Sequence, residues 1–169
     1  MRSVTRKRCL RDLPKPPKIY ETAKIVKQCE QVIDDDTFIG DFVFIAVAKL
    51  VLRRGAQVNS HTSITGGSGT VWIGENAVVS YGVRIMTRSD TPTGEHMNDA
   101  SAESTRAIRV GDIIIGAGAF VGANSVIMPG VTIGKRAVIG AGTYVCRDVP
   151  PDTVVYPEQR LIMKARKRF

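Results

Sequence analysis

Two imidazoles and one Ser-Asp pair carry most of the reactive chemistry in this chain of 169 residues. His61 lies in VNSHTS, His96 lies in the polar stretch TPTGEHMNDASAESTRA, and Ser89 and Asp90 stand just before that stretch. An imidazole titrates near neutral pH and can act as a general base toward a weakly nucleophilic hydroxyl. An exposed aspartate, with a pKa of about 3.9, is a weak base unless burial raises it. A catalytic zinc centre of the three-imidazole type cannot be built from two histidines without paired spacing, so no metal is expected. Cys9, Cys29 and Cys146 are an odd, scattered set without metal-ligand spacing. Reduced thiols in a cytoplasm fit them, with Cys146 as a small buried hydrophobe.

The elements that must position these groups are announced by a repeat. From Ile115 to Pro150 a branched aliphatic residue returns every sixth position: Ile115, Val121, Ile127, Ile133, Ile139 and Val145. Four residues after each comes a small or β-branched one: Ala119, Ser125, Val131, Ala137, Thr143 and Val149. Helices repeat at 3.6 residues and ordinary strands at 2, so a period of six implies a solenoid of short strands and corners. Three hexads close one triangular coil, with the aliphatic residues stacked inside. Weaker repeats begin at Ile33, Ile39, Ile45 and Val51, slip by one residue at Gln57, and resume at Val58 and Ile64. Thr70 to Trp72 reads as a three-residue bulge, followed by hexads at Ile73, Val79 and Ile85.

These spacings divide the chain into an arm over 1–32, a solenoid over 33–155 and a basic C-terminal helix over 156–169. The arm opens extended, with Pro14, Pro16 and Pro17, and can hold a short helix over Tyr20–Val32. Asp34, Asp35 and Asp36 are expected to cap the first coil. The insert 91–107 loses the core period and is expected to project from one corner as cover for a site.

Composition narrows the classes. Apolar residues make up 43% of the chain and aromatic ones 6%, which suits a narrow core with room for Ile and Val but few rings. No apolar run approaches the ~20 residues needed to span a bilayer, and the start lacks the apolar segment of a secretion signal. The formal charge of +8 gathers mainly at the two ends. Because no aromatic residues interleave with it, nucleic acid is not an expected partner.

The segments IMPGVTIG and IGAGTYVCRDVPPDTVV resemble the end of hexapeptide-repeat sugar O-acetyltransferases of the galactoside and maltose type. The likeness extends roughly from Ile33 to Lys164. It implies an all-β, left-handed parallel β-helix, a homotrimer with sites between subunits, and acetyl-CoA as donor. Handedness comes from the resemblance alone. Matching hexads places Asp90 where that family carries its catalytic histidine, while Ser89, Asp90, Gly94, Glu95 and the Thr65-Gly66-Gly67 run resemble lipopolysaccharide and capsule O-acetyltransferases. The resemblance therefore points to His61 as base, with Asp90 orienting it or binding acceptor, and to Asp90 acting with His96 as the alternative. Asn59 matches an acceptor-binding asparagine, and His96 is a further acceptor candidate. Ala117, Ala141, Cys146, Arg147 and Arg160 match the coenzyme A positions.

The expected activity is acetyl transfer from acetyl-CoA to a sugar or nucleotide-sugar hydroxyl, in surface polysaccharide or glycoconjugate synthesis, in the cytoplasm. An amino-sugar N-acetyltransferase and a non-catalytic trimeric scaffold are the alternatives. A free amine needs less help from a base, and the scaffold would have lost the family histidine.

Overall fold

A computed structural model describes residues 13–158. The first coil contains β1 (Lys18–Ile19), β2 (Lys24–Ile25) and β3 (Glu30–Ile33). The second contains β4 (Phe38–Ile39), β5 (Phe44–Ile45) and β6 (Lys49–Leu52), and the third β7 (Gln57–Val58), β8 (Ser63–Thr65) and β9 (Thr70–Ile73). The fourth has β10 (Val78–Val79) and β11 (Arg84–Met86), then a side hairpin of β12 (Arg88–Asp90) and β13 (Ile108–Val110), then β14 (Ile113–Ile115). The fifth comprises β15 (Phe120–Val121), β16 (Val126–Ile127) and β17 (Thr132–Ile133). The sixth holds β18 (Val138–Ile139) and β19 (Tyr144–Val145), and β20 (Val154–Val155) starts a seventh.

Every strand except those of the side hairpin pairs in parallel with its counterpart one coil away, giving sheets of seven, six and five strands. These are the three faces of a left-handed parallel β-helix. The first edge joins β1-type to β2-type strands, the second edge leads on to β3-type strands, and the third returns the chain to the first face. Ile39, Ile45, Leu52, Val58, Ile64, Ile73, Val79, Ile85, Ile115, Val121, Ile127, Ile133 and Ile139 are buried in one continuous core. The residue four positions after each aliphatic one, such as Ala119, Ser125 or Ala137, is buried as well. On the first and second faces this position, two before the next inward residue, is held by small residues and valine, and on the third by residues as large as Leu50 and Ile113.

The pairing register corrects several details of the sequence reading. Ile33, Leu52 and Ile73 are stacked partners, so Leu52 and not Val51 is the inward residue. The extra residue is absorbed before β6, at Ala46–Ala48, and not at Gln57. Thr70, Val71 and Trp72 are ladder residues of β9, and the bulge is instead Gly66–Gly69. A further coil precedes Ile33: Tyr20–Val32 contains β2 and part of β3 where a short helix was allowed, because Ile19 and Ile25 pair with Ile39 and Ile45. Consequently Asp34 and Asp36 do not begin the solenoid. They close its first coil and form ion pairs with Arg53 and Arg54 of the second.

One regularity emerges from the register. Across the first and third edges, stacked inward residues are always six apart, as in Ile39–Ile45 and Leu52–Val58. Across the second edge the separation is eight, seven, nine, thirty, six and four in successive coils, from Ile25–Ile33 to Val145–Val149. All departures from the hexad therefore emerge on one edge. The largest is the projecting arm, whose stem is the antiparallel β12–β13 pair. Where this arm rejoins the coil, Gly111 passes so close that a Cβ would sit 2.5 Å from Cα of Gly130. Only glycine fits there.

Ile85 stacks between Ile64 and Ile127 directly beneath the arm's exit and is fully buried. Ile85→Ala should cost about 2–5 kcal/mol through lost burial and the cavity left behind. Urea unfolding at constant m-value measures it.

Candidate active site

His61 occupies the first edge in the third coil, in left-handed backbone geometry with φ of 62°. Its N–H donates to the Asp41 carbonyl at 2.9 Å, and Nη1 of Arg84 donates to its own carbonyl at 3.1 Å. Both flanks of the residue are therefore fixed to neighbouring coils. The ring is exposed and stacks on Phe42, with centroids 5.1 Å apart and planes inclined by 18°. No described residue bonds to its ring nitrogens. Asn59 is on the same edge, but its amide is engaged, donating to the Val79 carbonyl at 3.1 Å.

Asp90 ends β12, on the second edge. Both carboxylate oxygens accept from Arg106, at 2.8 Å from Nε and 2.6 Å from Nη2. Nη2 also reaches Asp99 at 2.7 Å, and the Arg106 side chain is only 4% exposed. The bidentate pair holds the Asp90 carboxyl well below the usual carboxylate range, against the opposing effect of partial desolvation. Arg106 is pushed higher still by the same contact. A second pair, Arg88–Glu103, runs alongside. Together they clamp the arm to its stem and line a cavity of about 550 Å³ with Ser89, Ser101 and Gly66. Arg106 is the residue that sequence reasoning missed. Sixteen residues separate it from Asp90, and only the antiparallel stem brings the two together.

His61 and Asp90 thus stand at opposite ends of the second face, and no described bond links them. His96 lies within the arm, its N–H donating to the Thr105 carbonyl at 3.0 Å. It is exposed and makes no bond to Asp90.

The expected donor residues are spread over all three edges: Ala117 on the third, Ala141 on the first, and Cys146 and Arg147 on the second. Within one chain they do not form one groove. Cys146 and Arg147 do line a cavity of about 390 Å³ with Tyr144, Val149, Pro150 and Val155. Cys146 is exposed and not a buried hydrophobe, because it follows inward-facing Val145 and turns outward at the corner. Among the described residues the buried thiol is Cys29, at the same edge of the first coil. Arg160, Cys9 and the basic C-terminal helix proper lie outside the described residues; Tyr156–Glu158, at its expected start, are not helical. Among the described residues no group of three metal-ligating side chains occurs, and no helix is long and apolar enough to cross a membrane.

Residues 112–147 match a family model described as the hexapeptide repeat of succinyl-transferase. The galactoside O-acetyltransferase of Escherichia coli strain K12 is 26% identical over 140 residues, covering 82% of this chain and 66% of that one. The chain spans 25% and 52% of the length of two further curated relatives. Among solved structures, the N-acyltransferase AntD of Bacillus cereus, in complex with dTDP and 3-hydroxybutyryl-CoA, superposes with a TM-score of 0.67 at 21% identity. That match covers 88% of this chain and 82% of AntD. The hexapeptide-repeat acetyltransferase VCA0836 of Vibrio cholerae, complexed with acetyl coenzyme A, gives a TM-score of 0.61 at 21% identity over 83% of this chain and 72% of that one. At such identities the superpositions speak for the fold, while the repeat model and the galactoside enzyme are likenesses over part of the sequence. Coil, repeat and relatives together make this chain similar to the hexapeptide-repeat acyltransferases.

Proposed function

We propose that the protein transfers an acetyl group from acetyl-CoA to a hydroxyl of a saccharide acceptor, in surface polysaccharide or glycoconjugate synthesis in the cytoplasm. Similarity to the hexapeptide-repeat acyltransferases supports acyl transfer, and the coenzyme A ligands of AntD and VCA0836 support the donor. The observation that carries the hydroxyl reading is His61: an exposed imidazole, fixed on both backbone flanks, with open ring nitrogens. In this scheme the imidazole takes the hydroxyl proton as the oxygen attacks the thioester carbonyl. The tetrahedral oxyanion then collapses, the C–S bond breaks, and the imidazolium returns the proton to the departing thiolate.

Asp90 serves differently from the base. Its carboxylate is ionised and committed to Arg106, so it anchors the arm and offers remaining lone pairs to acceptor hydroxyls. The donor lies along Cys146 and Arg147, whose partly apolar cavity suits a pantetheine arm. Ala117 and Ala141 enter the donor groove from other edges, and His61 and Asp90 meet, only if copies assemble as a homotrimer. One observation favours a second reading, an amine acceptor: AntD is an N-acyltransferase, and an amine tolerates the distance between His61 and Asp90 better.

Thiol release from acetyl-CoA with panels of hydroxyl and amino sugars tests the scheme. His61→Ala should lower kcat on the hydroxyl acceptor by about 10²–10⁴-fold with acetyl-CoA binding retained. Unchanged turnover would remove His61 from the chemistry, and absence of acetyl-CoA binding by the native protein would leave a scaffold. The pH profile of turnover should carry no limb from Asp90 near neutrality, because the Arg106 pair holds its carboxyl below the usual carboxylate range. Because its pKa is depressed in the fold, the Asp90–Arg106 clamp contributes fully above about 3.9 and is lost as pH falls through the lowered value. Proteolysis within residues 91–107 should therefore be flat from pH 5 to 8 and accelerate only in stronger acid. In Arg106→Ala it should be fast throughout.

A further inference from the structure

The imidazole that the acetyl-transfer scheme uses as base lacks the usual orienting partner. A working imidazole is ordinarily held through its second ring nitrogen by a carboxylate or a carbonyl. Among the described residues nothing bonds to either ring nitrogen of His61, and the ring is exposed. Free to turn about its two side-chain torsions, such a ring would rarely be aimed at a hydroxyl. Among the described residues its one aromatic partner is Phe42, with centroids 5.1 Å apart and planes inclined by 18°.

The coil produces this stack by repetition. Phe42 and His61 occupy the same corner position on successive coils, both in left-handed geometry with φ of 55° and 62°. Equivalent positions with matching backbone angles direct their Cα–Cβ bonds in parallel, one strand spacing of about 4.8 Å apart. Two flat side chains placed in this way lie face to face near that spacing. At the same position the next three coils use Gly82, Asn124 and Gly142. Glycine and asparagine are its ordinary occupants, and a bulky phenylalanine is an outlier.

Phe42 is kept there by its backbone. Its N–H donates to the Thr22 hydroxyl at 3.1 Å, and that hydroxyl donates to the Asp41 carboxylate at 2.7 Å. The Asp41 carbonyl in turn accepts the N–H of His61 at 2.9 Å, so both rings stand on one footing. The Phe42 ring itself is 59% exposed, too open to serve the core. Strain kept at an exposed position points to use rather than stability. On the far side of the imidazole the corner position is Gly82, which has no side chain to cover it, and Tyr81 beside it is exposed.

We infer that Phe42 is a positioning residue for acetyl transfer, its ring backing the His61 imidazole and fixing the direction of its nitrogens. A stack covers one face of the ring and leaves the edge, where both nitrogens lie, free to take and return a proton. A hydrogen-bonding partner would occupy one of them. The inference rests on His61 as base, and the experiment separates the two.

Proton NMR and steady-state kinetics on the full chain test it together. The chain has two histidines, and His96→Ala assigns their ring signals. The His61 ring protons should lie upfield of those of His96 in the native protein and in Phe42→Tyr, through the ring current of the stacked face. In Phe42→Asn they should move back toward the His96 position. Asparagine suits left-handed geometry, so this variant should melt no lower than the native protein. Its kcat on a hydroxyl acceptor should fall about three- to tenfold with the KM of acetyl-CoA and of acceptor unchanged. Phe42→Gly should match it, and Phe42→Tyr should keep the native rate. Unchanged kcat in Phe42→Asn and Phe42→Gly, with His61→Ala impaired, overturns the positioning role and spares the base. A rise in acceptor KM at constant kcat overturns it as well, because Phe42 would then be a binding surface. Undiminished turnover in His61→Ala overturns both readings at once.

Discussion

Each coil of this molecule must hydrogen-bond to the coil before and the coil after it, strand on strand. That requirement governs the rest. A strand displaced by one residue would turn its aliphatic side chain out of the prism and a polar one into it. The inward positions therefore hold Ile, Val and Leu at stacked registers from Ile39 to Ile139. Chain that does not fit the hexad has to leave the prism at a corner. In this protein it always leaves at the same corner. The Gly66–Gly69 bulge and the arm over 91–107 are two magnitudes of the same accommodation, one coil apart, and the acidic and basic groups that surround Asp90 are gathered there as a result.

The legible part of the fold was the part that repeats strictly. Ile115 to Val145 falls into hexads without interruption, so period alone located the core. The early coils were harder because Val51 and Leu52 are equally apolar, and a count along the chain cannot tell which of two adjacent residues points inward. Pairing with Ile33 and Ile73 decides it. The first coil was invisible for a related reason: Ile25 stands eight positions before Ile33 across the irregular edge, and the isolated pair Ile19 and Ile25 has no further repeat to mark it. Cys146 was misjudged because its neighbour Val145 already fills the inward position.

Of the candidate site, the residue types were readable and their company was not. His61 and Asp90 stood out as titratable groups near a projecting insert. Nothing along the chain indicated that Arg106 would return to cover both oxygens of Asp90, or that Phe42, His61 and Tyr81, nineteen and twenty residues apart, would be neighbours. In a solenoid, lateral proximity is set by the length of a coil, so a surface patch is sampled from the sequence once per turn. Clusters that other folds write as contiguous motifs are here distributed at long intervals.

The confinement of irregular spacing to the second edge has an evolutionary consequence. That edge behaves as an expansion joint. Residues can be added or removed there without disturbing stacking on any face, because the chain re-enters at the same register whether the excursion takes seven residues or thirty. At the other two edges every crossing among the described coils is six residues long. Divergence among descendants of such a chain is thereby channelled into one seam of the molecule, where it can remodel what the arm covers while the prism beneath stays the same.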